Sequence, residues 1–273
     1  MNSLLLNTDG VQIPQLGYGV WQVPADEAAQ AVTTALKTGY RHVDTAAAYG
    51  NEEGVGQAVR ESGLPRGKVF VTTKLWNADH GRVEAAFEES LTRLGLDYID
   101  LFLIHWPLPK HDRYVQAWKA MEKIYRDGRA KAIGTSNFTS DHLTRLMNET
   151  GIVPSINQIE LHPYLQQREM RAFHEANGIL TEAWSPIGQG QGLLDDPALA
   201  VLSGKYGRTP AQIVLRWHLQ LGNVVIPKSV SPSRMAENIH VFDFTLDPED
   251  MAAIGALNRG QRFGPDPDTF DMM

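Results

Sequence analysis

Short apolar runs along this chain alternate with longer stretches in which apolar residues recur at spacings of three and four. Eight of the short runs read as strands: Leu16 to Gly19, His42 to Thr45, Val69 to Lys74, Tyr98 to His105, Ala130 to Thr135, Ile156 to Ile159, Leu180 to Trp184 and Val224 to Ile226. Helices are expected at DEAAQAVTTALKTG, GRVEAAFEESLTRLG, YVQAWKAMEKIYRDG and SDHLTRLMNETG, each stopped by a glycine, as Gly39 is placed to stop the first. Strands that alternate with helices through short loops imply parallel pairing and right-handed crossovers. Six such units would form an open sheet, whereas eight close a barrel. No glycine-rich GxGxxG turn follows the first strand, which weighs against a Rossmann domain. The segment LLLNTDGVQIPQLGYG reads as two short strands around Asp9 and Gly10, a hairpin that lids the barrel floor. The expected fold is therefore α/β: a single (β/α)8 TIM barrel, closed below by an N-terminal β-hairpin, with one domain over residues 1–273.

Three of the runs end on ionisable side chains. RHVDTAAAYG delivers Asp44 and Tyr49, VFVTTKLW delivers Lys74, and YIDLFLIHWP delivers His105. Parallel neighbouring strands would bring all four to the carboxyl edge of the sheet, where barrels of this kind place their chemistry. A tyrosine is a weak acid at neutral pH unless a neighbouring ammonium stabilises its phenolate, and a buried lysine needs a carboxylate to stay charged. Tyr49 is thus a candidate general acid, tuned by Lys74 and Asp44. His105, held by Trp106 and Pro107, suits a donor that orients a carbonyl oxygen. The plainer alternative is a buried Asp44–Lys74 pair with Tyr49 as a rim aromatic.

Composition narrows the classes. The chain has 273 residues, is 42% hydrophobic and 21% charged, and carries a net charge of -7, which supplies no electrostatic footprint for nucleic acid. It has no cysteine, so thiol catalysis, thiolate metal sites and disulfides are excluded, in keeping with a reducing, cytoplasmic setting. No run approaches the ~20 apolar residues of a membrane span. MNSLLLNTDG lacks the basic region of a signal peptide. A metal-dependent hydrolase on the same barrel would start from an HxH pair, and none of the nine histidines forms one. His42 and His162 read as structural residues, and no metal is expected.

Several ordered segments resemble the aldo-keto reductase family. GYRHVDTAAAYGNEEGVGQAV at 39–59 is similar to that family's stretch around its catalytic aspartate and tyrosine, KLW at 74–76 to its lysine strand, and HWP at 105–107 to its histidine. GTSNF, INQIELHPY and IPKSVSPSRMAEN extend the resemblance over nearly the whole chain, most closely to the bacterial branch that includes 2,5-diketo-D-gluconate reductases. It implies an NADPH-dependent reduction of a small-molecule aldehyde or ketone, with Asp44, Tyr49, Lys74 and His105 as the catalytic tetrad and a monomeric enzyme. A catalytically silent NADP(H)-binding or structural protein on the same fold is the alternative.

The resemblance also implies the cofactor contacts. Ser136, Asn137 and Gln158 would hold the nicotinamide carboxamide. Trp184, where family members often have tyrosine, would offer a flat stacking face. Ser231 and Pro232 suit the start of a helix, and with Lys228, Ser229 and Arg234 they form an anion site for the 2'-phosphate, with Glu237 and Asn238 near the adenine. An arginine meets phosphate with two hydrogen bonds, favouring NADPH over NADH. The loop at 185–196 would pass over the pyrophosphate with contacts from Ser185, Ile187, Gln189 and Leu193, and its shortness implies easy cofactor exchange. Trp21, Trp76 and Trp106 would rim the substrate mouth. The tail GQRFGPDPDTFDMM either folds over that mouth through Phe263 or Phe270, or frays.

Overall fold

The computed structural model describes residues 3–5 and 10–273. β1 (Ser3–Leu5) and β2 (Gln12–Pro14) pair antiparallel, with Ser3 opposite Pro14. Asp9 of the expected turn lies outside the described residues, and Gly10 takes the left-handed conformation that a tight turn needs.

The barrel strands follow as β3 (Tyr18–Gly19), β4 (His42–Asp44), β5 (Phe70–Leu75), β6 (Ile99–Ile104), β7 (Ala130–Ser136), β8 (Ile156–Glu160), β9 (Leu180–Trp184) and β10 (Val224–Val225). They hydrogen-bond in chain order, all in parallel. Leu16 bridges Val225 in parallel, and the Gly17 N–H donates to the Val225 carbonyl at 2.8 Å, so the last strand meets the first. All eight expected strands are present. The first keeps only Tyr18 and Gly19 in the sheet proper, with Leu16 as an isolated closing contact.

Successive side chains of a strand point to opposite faces, and here the two faces have different chemistry. Outward residues such as Val43, Val71, Phe102, Ile104, Ile133, Ile159 and Val225 are buried beneath the helices in the main apolar cluster. The inward rows read Phe70–Thr72–Lys74, Leu101–Leu103–His105, Ile156–Gln158–Glu160 and Leu180–Glu182–Trp184. Each is apolar at the strand's start and polar towards its end. Phe70, Leu101, Leu103, Ala132, Ile156 and Val224 form a second apolar cluster with Ile13 of the hairpin. The hairpin therefore plugs the floor, and burying Ile13 contributes about 1.5–3 kcal/mol. Gly134 is required by this packing: a Cβ there would sit 2.7 Å from the Ile156 carbonyl oxygen and 2.8 Å from Leu103 Cδ2.

The outer helices are α1 (Ala25–Thr38), α2 (Glu52–Glu61), α3 (Val83–Leu94), α4 (Tyr114–Arg126), α5 (Ser140–Glu149), α6 (Arg168–Ala176), α7 (Pro197–Tyr206), α8 (Pro210–Gln220), α9 (Pro232–Ile239) and α10 (Pro248–Gly255). Gly39 caps α1 as expected, in the left-handed region and donating to the Ala35 and Leu36 carbonyls. The expected glycine stop at Gly151 is not used, because α5 already ends where Thr150 turns extended. Among the described residues no helix is long and apolar enough to cross a membrane, and no group of three or more His, Asp or Glu is placed to hold a metal ion.

Candidate active site

Asp44 ends β4, Lys74 lies one residue from the end of β5, and His105 follows β6, so three adjacent strands deliver them to one edge. Tyr49 reaches the same place through a short 3-10 turn, Ala47–Tyr49, which Gly50 reverses at φ 67. The fully buried Lys74 Nζ donates to Asp44 Oδ1 at 2.6 Å, to the Thr45 carbonyl at 2.9 Å and to the Tyr49 hydroxyl at 3.3 Å. The Tyr49 and His105 rings meet edge to face at 5.7 Å.

The electrostatics follow from burial and this one cation. Burial works against the Lys74 ammonium, but the charge of Asp44 and the hydrogen bond to it outweigh that cost, so the Lys74 pKa is raised. Burial lifts the Tyr49 phenol above its ordinary value while Lys74 pulls it back. The phenol thus carries a proton beside a fixed positive charge. Burial, and then the Lys74 charge, push His105 well below the usual imidazole range, so it is neutral at pH 7. A neutral imidazole keeps one N–H to donate.

Next to this group, Ser136, Asn137 and Gln158 are buried together. The Ser136 hydroxyl donates to the Gln158 carbonyl at 2.9 Å, and Asn137 Nδ2 donates to the His105 carbonyl at 3.0 Å and to Ser136 Oγ at 3.1 Å. The Trp184 indole N–H donates to Asn137 Oδ1 at 2.8 Å, which fixes the plane of its ring. Asn137 and Ser185, each just past a strand end, are left-handed at φ 63 and φ 52. Asparagine tolerates that region, whereas at a serine it is a local cost of about 1–3 kcal/mol. The side chain of Gln158 is itself held in place. Its Nε2 donates to Asp44 Oδ2 at 2.9 Å and to Glu182 Oε2 at 3.0 Å, so its amide is anchored beneath the mouth.

At the end of β10 the backbone runs through Lys228 and Ser229 into α9. Ser231 caps this helix by accepting from the Arg234 N–H, and Pro232 occupies its first turn, as expected. Lys228 and Arg234 are exposed and form no ion pair among the described residues, so two free cations stand at a helix N-terminus. Glu237 is partly committed elsewhere, accepting from Thr209 Oγ1 at 2.7 Å, and Asn238 is buried. The 185–196 loop folds into two 3-10 turns, with Gln189 donating to Ser185 Oγ. Ile187 is half-buried, Gln189 is exposed, and the side chain of Leu193 packs against the main core.

Each of the three expected indoles follows the end of a barrel strand, Trp21 after β3, Trp76 after β5 and Trp106 after β6. Trp76 lies edge-on to His105 at 5.4 Å, and Trp106 lies 4.2 Å from the ring of Phe270. Trp21 is 43% exposed and stands apart from these contacts. The tail does not fray: Asn77 Nδ2 donates to the Met272 carbonyl at 2.6 Å and His111 meets Asp271 at 2.6 Å. Phe263 stacks on the buried His162 at 4.6 Å.

Two carboxyls in this region were not anticipated. Glu160 accepts from the backbone N–H groups of Phe263 at 2.6 Å and Gly264 at 3.0 Å and so ties down the start of the tail. Glu182 sits fully buried, its Oε2 accepting from Gln158 Nε2. The signal for both was present: each is the one charged residue of its strand, at an inward position.

The chain belongs to the aldo/keto reductase family, whose profile matches residues 14–259. It is 53% identical over 273 residues, 99% of each chain, to an aldo-keto reductase of Mycolicibacterium smegmatis. It is 54% identical over 263 residues, 96% of each chain, to the methylglyoxal reductase DkgA of Escherichia coli. Among solved structures, a variant of Gox0644 in complex with NADPH superposes with a TM-score of 0.95 at 48% identity, covering 99% of each chain.

Proposed function

We propose that this chain reduces small aldehydes and ketones, α-dicarbonyls foremost, with NADPH as reductant and Tyr49 as proton donor. The observation that carries the reading is the fully buried Lys74, 2.6 Å from Asp44 and 3.3 Å from the Tyr49 hydroxyl. When bound, NADPH supplies the hydride that reduces the carbonyl carbon. Tyr49 and His105 hold the carbonyl oxygen between a phenol O–H and an imidazole N–H. As negative charge builds on that oxygen, Tyr49 gives up its proton, and the Lys74 ammonium stabilises the phenolate left behind. Asp44 keeps that buried ammonium charged.

Trp184, Ser136 and Asn137 fit a nicotinamide ring and its carboxamide: a ring whose plane is fixed, beside a hydroxyl and an amide. Lys228, Ser229 and Arg234 fit a phosphate, because the two cations are free and the helix N-terminus faces them. Trp76, Trp106 and Phe270 give the substrate an apolar rim, which suits a short substrate in a pocket narrowed by the tail. A silent cofactor binder has no use for a lysine buried at such cost. The likeness to a methylglyoxal reductase supports the α-dicarbonyl class.

We also propose one domain, a monomer and a cytoplasmic location. The closed barrel, which leaves no barrel-strand edge to pair, supports the first two, and the absence of cysteine supports the third. A panel of aldehydes, α-dicarbonyls, keto sugars and quinones, assayed with NADPH and NADH in parallel, tests the reading. Small dicarbonyls should head the panel, with NADPH favoured about tenfold or more. Equal use of NADH would remove the phosphate site, and no turnover of any carbonyl would remove the function.

A further inference from the structure

Beneath the mouth lies a carboxyl for which the mechanism above has no role. Glu182 is on β9, two residues before Trp184 and on the same inward face. It is fully buried, and its Oε2 accepts from Gln158 Nε2 at 3.0 Å. The other Gln158 N–H goes to Asp44 Oδ2 at 2.9 Å, while Asp44 Oδ1 accepts from Lys74 at 2.6 Å. Five side chains thus form one line: Tyr49, Lys74, Asp44, Gln158 and Glu182.

We infer that Glu182 is a positioning residue of this active site, which holds Gln158 against Asp44 and keeps a second negative charge off the Asp44–Lys74–Tyr49 chain. The surroundings of Glu182 argue for a neutral acid. From β8 it meets only the amide of Gln158. From β4 it meets Asp44, itself an anion, and His42, whose Nε2 is 3.9 Å from Glu182 Oε1. His42 is not a cation, since burial pushes its pKa down to about 3 and Lys74 adds to that, while its Nε2 is shared with Thr72 Oγ1 at 3.0 Å. From β5 comes Lys74, the one full positive charge, already paired with Asp44. Val224 of β10 lies opposite and offers no charge.

Glu182 Oε1 has no hydrogen-bond partner, and a bare carboxylate oxygen there would be far costlier than a bare acid oxygen. Burial, and then the charge of Asp44, push its pKa up to about 8. Near pH 7 the group of Asp44, Lys74 and Glu182 is therefore close to neutral overall. Above pH 8 it gains a negative charge, which raises the Tyr49 pKa further and makes the phenol a weaker acid. Carbonyl reduction should then slow as the pH rises through that value.

The inference rests on Tyr49 as proton donor, and the test separates the two. Wild type, Glu182→Gln and Tyr49→Phe are assayed for kcat from about pH 6 to about pH 10, the span that brackets the Glu182 transition. Wild type should show an alkaline fall centred near pH 8. Glu182→Gln keeps an acceptor for Gln158 but cannot ionise, so its fall should move up by about one pH unit or more, with turnover on the acid side within about tenfold of wild type. A limb unchanged from wild type, with only a lowered Tm, would reduce Glu182 to structural packing and overturn the inference. If that variant does not fold, infrared difference spectra of wild type should show a carboxylic acid C=O band that disappears between about pH 7 and about pH 9, and its absence overturns the inference as well. Retained turnover in Tyr49→Phe would instead remove the underlying reading of the acid.

Discussion

The floor and the mouth of this barrel are built from the same strands and are only two to four residues apart along each of them. At the floor, Phe70, Leu101, Leu103, Ile156 and Ile13 pack without a charge among them. At the mouth, Lys74, His105, Gln158 and Glu182 stand on the same inward rows; Lys74, Gln158 and Glu182 are tied by hydrogen bonds, and the His105 ring is packed edge-on against Tyr49 and Trp76. The contrast shows how one sheet carries two tasks. Apolar burial at one end supplies stability without direction, and it allows the other end to keep an ammonium, a carboxylate and a neutral acid out of water at high local cost.

If that division is right, the two ends should break differently. The largest separation is expected from Leu101→Ala at the floor, which should cost about 2–5 kcal/mol in urea unfolding while kcat and KM of the folded fraction stay near wild type. A matching loss of kcat would mean that floor packing sets the geometry of the mouth. At the mouth the expected response is in kinetics. Arg234→Ala should raise KM for NADPH by about 10–100-fold, the worth of a charge-assisted hydrogen bond, and leave KM for NADH alone. Equal effects on both cofactors would assign Arg234 to helix stability. The smallest effect belongs to the tail: Phe270→Ala, which uncovers Trp106, should raise substrate KM a few-fold with little change in kcat. A change in kcat alone would show that the tail acts on the chemistry and not on the pocket.

The same division explains what the sequence made legible. Apolar runs that end on ionisable side chains marked both the strands and the tetrad, and Gly39 and Ser231 marked the ends of their helices. Gly151 misled because its chain turns extended a residue earlier, at Thr150, where no propensity signal is visible. That the Leu193 side chain turns into the core was not legible, because a loop residue can point either way. Gln158 was placed at the mouth, but its tie to Asp44 and Glu182 depends on β4, β8 and β9 meeting across the barrel, which spacing along one chain does not reveal. The tail's fold was open for the same reason: its anchor, Glu160, lies about a hundred residues upstream.

The central claim is that Tyr49 gives its proton to the carbonyl oxygen with Lys74 beside it. The most direct measurement is single-turnover reduction of an α-dicarbonyl by Tyr49→Phe with saturating NADPH, alongside a cofactor-binding titration on the same sample. The account predicts unchanged NADPH affinity and a reduction rate lower by about 10²–10⁴-fold, the usual worth of a positioned general acid. A variant that binds NADPH and reduces the substrate at the wild-type rate would contradict it.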